Sequence, residues 1–185
     1  MPIDKSKIVT RRIVVPDYSA ESYVPKENVY KNYTEQGTWL QKVNELLDLP
    51  IDEELSASLH SAWGVYGHHI RSQVANDPLL IRFLRNSLPK YKGELPVKLY
   101  RGENKKRYED KNIGLCWTSK YEVARMFARG LNAIHFGGVL LECTCDPEWI
   151  ISGPSEHSLR LGEMEYTVDV VGLNGISVLQ TFPKS

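Results

Sequence analysis

The chain has 185 residues, 42% hydrophobic and 25% charged, enough apolar material for one domain to bury a core without disulfide staples. Lys plus Arg and Asp plus Glu balance at 23 each, which argues against a broad electrostatic grip on nucleic acid while leaving room for a small basic groove. The three cysteines are too few for a disulfide framework or a zinc site: Cys143 and Cys145 fall on one face of a strand and read as structural thiols.

In chain order, Ile8 to Val15 reads as a short β-rich run, followed by a polar stretch with Pro16 and Pro25. A helix is predicted over 30–47, with Leu40, Val43 and Leu47 on one face and Leu49-Pro50 at its end. A second helix begins near Asp52, with Glu53 and Glu54 in the first turn where carboxylates suit the dipole. Its stripe is Leu55, Leu59, Ala62, Tyr66, Ile70 and Val74, weakened locally by Gly64 and Gly67. Asp77-Pro78 reads as the N-cap and first residue of a third helix, buried through Leu80, Phe83 and Leu84 and stopped by Pro89. Beyond Pro89 the pattern changes to short alternating runs. Strands are predicted over 96–101, 114–118, 138–145, 162–170 and 175–182, with one helix at 120–129. The expectation is a single α+β domain over 1–185, helical over 1–90 and β-rich over 91–185, with a mostly antiparallel core. No run of about 18 apolar residues exists, and no apolar leader follows Met1. A soluble cytoplasmic protein is therefore expected, with no membrane contact, either in the cell that makes it or in a target cell.

Three pieces carry chemistry. In Leu99-Tyr100-Arg101-Gly102, Val97, Leu99 and Arg101 share one strand face, so an arginine ends an apolar face and a glycine follows. It is either an arginine snorkelling to the rim or a fork for phosphate oxygens, with Gly102 admitting a ligand to the backbone. Next comes Trp117-Thr118-Ser119 and the helix to Arg129-Gly130. Ser119 and Glu122 form a capping box, which leaves Thr118 unexplained. The third is Gly162-Glu163-Met164-Glu165-Tyr166, whose alternation places Glu163 and Glu165 on one face, roughly 7 Å apart along the strand. A solvated strand face would look the same. The adjacent His68 and His69 project about 100° apart on a helix and read as a buried or rim pair, so no metal is expected. Lys105-Lys106-Arg107 reads as a solvated loop.

The order of these pieces resembles the R-S-E class of mono-ADP-ribosyltransferases, which includes arginine-modifying bacterial toxins and phage enzymes. LYRG matches the arginine motif, WTSKYEVARMFA the Ser-Thr-Ser motif with its following helix, and GEMEYTV the Glu-x-Glu motif; the resemblance spans residues 97–182. It implies two packed, mainly antiparallel sheets around an NAD cleft, with the N-terminal helices alongside. It also implies that Arg101 holds the NAD diphosphate and ribose, and that Gly102 offers its backbone to the nicotinamide amide. Trp117, Phe127 and Arg129 complete the implied NAD contacts, the last two in a phosphate–nicotinamide loop. Thr118 or Ser119 would orient the catalytic Glu165, and Glu163 would activate the acceptor. Trp117 stands where the motif often begins with serine, so the choice between Thr118 and Ser119 stays open. Residues 152–162 would be the acceptor-recognition loop.

The residue types suit that chemistry. Breaking the bond between nicotinamide and ribose builds positive charge on the sugar, as in glycoside hydrolysis, and a fixed carboxylate stabilises it best where water is excluded. The acceptor then needs a base. The implied activity uses NAD as co-substrate and passes ADP-ribose to protein arginine, the acceptor that Glu-x-Glu favours. Three alternatives stand beside it: transfer to RNA or DNA as a toxin or phage-defence element, NAD glycohydrolysis, and a silent binding module. With a nucleic-acid acceptor, Lys105 to Arg107 and Arg129 are the first positions to examine. The resemblance also leaves room for an inhibitor or antitoxin protein as partner.

Overall fold

A computed structural model describes residues 26–173 and 175–184; the predicted run from Ile8 to Val15 lies outside them. The described residues form an α+β domain with seven α-helices and six strands.

The helix expected over 30–47 is two, α1 (Lys26–Gln36) and α2 (Trp39–Leu46). Gly37 breaks it by turning the backbone into the left-handed region at φ 68°. The turn lets the Trp39 ring fold back and stack on Tyr30 at 6.0 Å. Helix α3 (Glu53–Val74) begins as expected at Asp52, whose side chain accepts from the Leu55 N–H. Its two glycines do not break it. One accommodates the buried Trp63, whose ring lies 3.4 Å from the place a Cβ at Gly67 would occupy. The Trp63 Nε1–H in turn donates to Thr167 Oγ1 at 2.9 Å and ties α3 to the sheet. Helix α4 (Asp77–Ser87) is capped one residue earlier than expected, by Asn76, whose side chain accepts from Leu79 N–H. Asp77 is occupied elsewhere, gripped by Arg71 through two hydrogen bonds of 2.9 and 2.6 Å.

The strands are β1 (Val97–Asn104), β2 (Cys116–Thr118), β3 (Gly138–Cys145), β4 (Ile150–Ser152), β5 (Glu165–Val168) and β6 (Ser177–Phe182). They form one sheet in the order β4-β5-β2-β1-β3-β6, and every neighbouring pair is antiparallel. This corrects the expectation of two sheets, and the junction shows how it fails. β1 and β2 pair only at Tyr100–Thr118, so two three-stranded halves are joined at one position. From Arg101 onward β1 continues along β3 without β2 beside it. Short elements escaped the periodicity reading: β4, α5 (Lys105–Glu109) and α7 (Glu156–Leu161). Side-chain caps explain both helices. Asn104 accepts from the N–H groups of Lys106 and Arg107, and Ser155 accepts from that of Ser158.

Three cores follow. Trp39, Trp63, Phe83 and Leu84 of the helices pack with Leu115 and Ile151. Leu99, Trp117, Leu141, Cys143, Cys145 and Val168 form a second core that draws on both halves of the sheet. Helix α6 (Tyr121–Arg129) lays Ala124 and Ala128 on Leu140. That last contact is backbone on backbone: a Cβ at Gly102 would lie 2.3 Å from the Ala124 carbonyl oxygen, and one at Gly138 would lie 1.7 Å from that of Ala128. Gly102 is thus required for helix packing, and its carbonyl accepts from Asn132 Nδ2 at 2.8 Å. Gly102 also lines the cleft described below, so its missing side chain serves the helix packing whatever else its backbone meets. Among the described residues no helix is long and apolar enough to cross a membrane.

Gly102→Ala and Gly138→Ala should each destabilise the fold by about 1–3 kcal/mol, because α6 must shift to admit a methyl group. Thermal unfolding should show a Tm lower by several degrees for both; unchanged values would mean that α6 does not press on these backbones.

Candidate active site

Beside the single β1–β2 pairing lies a cleft of about 920 Å³, walled by α3, β1, β2, α6 and the segment entering β5. Arg101, Thr118, Glu163 and Glu165, drawn from three separate motifs, all line it.

Arg101 does not snorkel. Its side chain is 16% exposed, and Nε donates to Glu103 Oε2 at 2.8 Å. Nη1 donates to the Cys116 carbonyl, and Nη2 lies against Gly114, where a Cβ would meet it at 2.0 Å. Glu103 is 1% exposed and accepts three further contacts: Gly114 N–H at 2.9 Å, Asn104 N–H at 2.8 Å, and Arg107 at 3.5 Å. Burial alone would raise the Glu103 pKa. The Arg101 and Arg107 guanidiniums and the Gly114 N–H outweigh it and hold the carboxylate below its usual range. Reading Arg101 as a single residue missed Glu103. The signal was present, since position i+2 on a strand shares the arginine's face.

The Ser119 capping box does not form. Lys120 occupies the N-cap position of α6, and Thr118 Oγ1 accepts from the Lys120 N–H at 2.9 Å. The same hydroxyl donates to the Glu163 carbonyl, while Ser119 N–H donates to the Met164 carbonyl at 3.3 Å. Thr118 and Ser119 therefore hold the backbone that carries both glutamates. Between those glutamates Met164 takes φ 49° and β5 starts only at Glu165, so the extended alternation expected over 162–170 is interrupted. Both carboxylates nonetheless line the cleft. A left-handed methionine is costly backbone of the kind that functional sites tolerate.

Glu165 is the most perturbed carboxylate in the cleft, its pKa pushed up to about 7. Burial is the main cause. The Cys116 thiol and the Arg101 guanidinium oppose the rise, and repulsion from Glu163 adds to it. Cys116 was not foreseen as a site residue. In the β2–β5 register it lies opposite Thr167 with Thr118 opposite Glu165, so its thiol is a diagonal neighbour of the glutamate.

Other expected contacts fall differently. Trp117 borders the cleft, but it is 1% exposed within the second core, and its Nε1–H donates to Gly114 O at 3.1 Å. Phe127 lines the cleft, but from helix α6 and not from a loop. Arg129 is exposed in the last turn of that helix and outside the cleft lining. The expected acceptor loop over 152–162 contains α7, closed by Gly162 at φ 71°. In the supposed solvated loop, Lys105 and Lys106 pair with Glu109 and Asp110 while Arg107 enters the cleft. The rings of His68 and His69 lie 3.8 Å apart, and His68 lines the cleft. Among the described residues no group of three or more His, Cys, Asp or Glu side chains could hold a metal ion.

Comparison with protein-family models, with curated proteins and with solved structures finds no match to this chain.

The raised Glu165 pKa has a stability consequence. Below an ordinary value of 4.5 the carboxyl is protonated in folded and unfolded chains alike. Between 4.5 and about 7 the unfolded chain ionises first, so stability falls as pH rises; above about 7 the cost is constant. Glu165→Gln removes a cost on the order of 3 kcal/mol. It should raise Tm by several degrees at pH 8 and by less than half as much at pH 5. A pH-independent change in Tm would count against the buried carboxyl.

Proposed function

We propose that this chain is a mono-ADP-ribosyltransferase that cleaves NAD at the bond between nicotinamide and ribose and passes ADP-ribose to protein arginine. The observation that carries this reading is the convergence of Arg101, Thr118, Glu163 and Glu165 on one cleft, with Glu165 the carboxylate whose pKa is pushed up to about 7.

The residues divide the chemistry between them. Ionised Glu165 faces the ribose and stabilises the positive charge that grows as the C1′–N bond breaks, its electron pair leaving with neutral nicotinamide. Arg101 keeps Glu165 partly ionised and, through Glu103, fixes the wall behind it. Thr118 and Ser119 hold the backbone of both glutamates. The acceptor nitrogen then attacks C1′, and Glu163 takes the proton it releases. With water in place of the acceptor, the same Glu165 would support NAD hydrolysis.

Labelled NAD followed into protein, RNA, DNA and small-molecule fractions tests the reading. Label in protein supports arginine transfer. Label in RNA or DNA moves the acceptor to nucleic acid, free ADP-ribose alone makes the chain a glycohydrolase, and unconsumed NAD contradicts all three. Glu165→Gln should cut both transfer and hydrolysis at least about a hundredfold, mainly in kcat. Glu163→Gln should lose transfer while keeping hydrolysis. The opposite pattern would reverse the two roles.

A further inference from the structure

We propose that Arg107, not Arg101, is the guanidinium that receives a diphosphate in this cleft. The inference deepens the ADP-ribosyl reading by assigning the phosphate end of its substrate, and its test separates the two.

Among the described residues three arginines line the cleft: Arg71, Arg101 and Arg107. Two are largely buried and committed to the wall. Arg71 is 13% exposed; its Nε and Nη2 donate to Asp77 at 2.9 and 2.6 Å, and Nη1 donates to Ile113 O at 2.8 Å. Arg101 has Nε on Glu103, Nη1 on the Cys116 carbonyl and Nη2 against Gly114. A bidentate phosphate contact would require either to abandon bonds that hold the fold. Arg107 is different. Its side chain is 41% exposed, and Nε and Nη2 share a single acceptor, Asn112 O, at 3.2 Å each. Its nearest carboxylate is Glu103 at 3.5 Å, already matched to Arg101 at 2.8 Å.

Charge counting gives the same answer. Arg71 is balanced by Asp77 and Arg101 by Glu103, and on α5 Lys105 and Lys106 are balanced by Glu109 and Asp110. Among the described residues Arg107 is the cation at this wall without a carboxylate of its own: it is partly buried, drawn to the Glu103 it shares with Arg101 and, more weakly, to Asp77, and repelled by Arg101 and Arg71. His68 lines the same cleft and is held toward its neutral form by burial first, then by His69 and Arg107. An arriving anion relieves that repulsion, and a planar guanidinium with open N–H groups suits phosphate oxygens in pairs. The neutral imidazole adds one further N–H donor.

The test is calorimetry on the full chain with inorganic pyrophosphate as probe, alongside nicotinamide release from NAD. Arg107→Gln should weaken pyrophosphate binding at least about tenfold. Arg107→Lys, which keeps the charge and guards against misfolding, should lose part of that affinity because it lacks the fork. Lys106→Gln, one residue away, should bind as the wild type does. In the NAD assay Arg107→Gln should raise KM more than it lowers kcat. The proposal is overturned by wild-type pyrophosphate affinity in Arg107→Gln, by an equal loss in Lys106→Gln, or by a wild-type chain that does not bind pyrophosphate. If pyrophosphate binding depends on Arg107 while NAD is never cleaved, the phosphate position stands and the ADP-ribosyl reading fails. If Arg107→Gln cleaves NAD with wild-type KM, the reading stands and the phosphate position fails.

Discussion

The buried pair of Arg101 and Glu103 is the interaction on which the cleft depends. The β1–β2 ladder stops at Tyr100–Thr118, and beyond it the backbones of the two halves need another tie. Arg101 supplies it by donating to the Cys116 carbonyl at the start of β2, while Glu103 accepts from Gly114 N–H in the approach to that strand. Two charges this deep are costly to desolvate, and they persist because each satisfies the other and the remaining lone pairs take backbone donors. Removing Glu103 leaves the Arg101 charge unmatched in the wall, a loss of about 3–5 kcal/mol, whereas removing Arg101 leaves Glu103 only the more distant Arg107 at 3.5 Å. Gly114 belongs to the same unit, since the guanidinium occupies the space its side chain would fill.

Where the signal was periodic, the fold was legible. β3 spans the predicted 138–145, and α3 and α6 begin within a residue or two of expectation. The motifs around Arg101, Thr118 and Glu165 did converge on one cleft. What escaped was short or set by tertiary contact. Helices α5 and α7 have five and six residues, too few to show a face, and exist because Asn104 and Ser155 cap them. The break at Gly37 and the twist at Met164 are single-residue events within otherwise regular patterns. Ser119 fitted a capping box, yet Lys120 takes the N-cap position without a side-chain cap, and it is the Thr118 hydroxyl that accepts from the Lys120 N–H and donates to the Glu163 carbonyl. Arg101 was read as a ligand's arginine; it lines the cleft, and its carboxylate partner two residues on, which that reading missed, also ties it into the wall.

Electrostatics divides the cleft between two tasks. Around Glu165, burial and Glu163 hold back ionisation while Arg101 and Cys116 favour it, leaving the carboxyl poised near neutrality. Around Glu103 the same burial is outweighed, and the carboxylate stays charged as a fixture of the wall. Two glutamates in one cleft are thus driven apart in pKa by their surroundings, a pattern that separates a working group from a supporting one. The stability lost to Glu165 and to the left-handed Met164 has no evident return in folding, which is why the proposed activity is sought at these residues.

The claim at the centre of this account is that an ionising Glu165 drives cleavage of NAD. Nicotinamide release measured across pH tests it most directly, because kcat/KM reports the ionisations of the free enzyme. The account predicts a rate that rises with pH as a group with an apparent pKa near 7 loses its proton, and a profile without that limb in Glu165→Gln. No release at any pH, or the same limb surviving in Glu165→Gln, would contradict it.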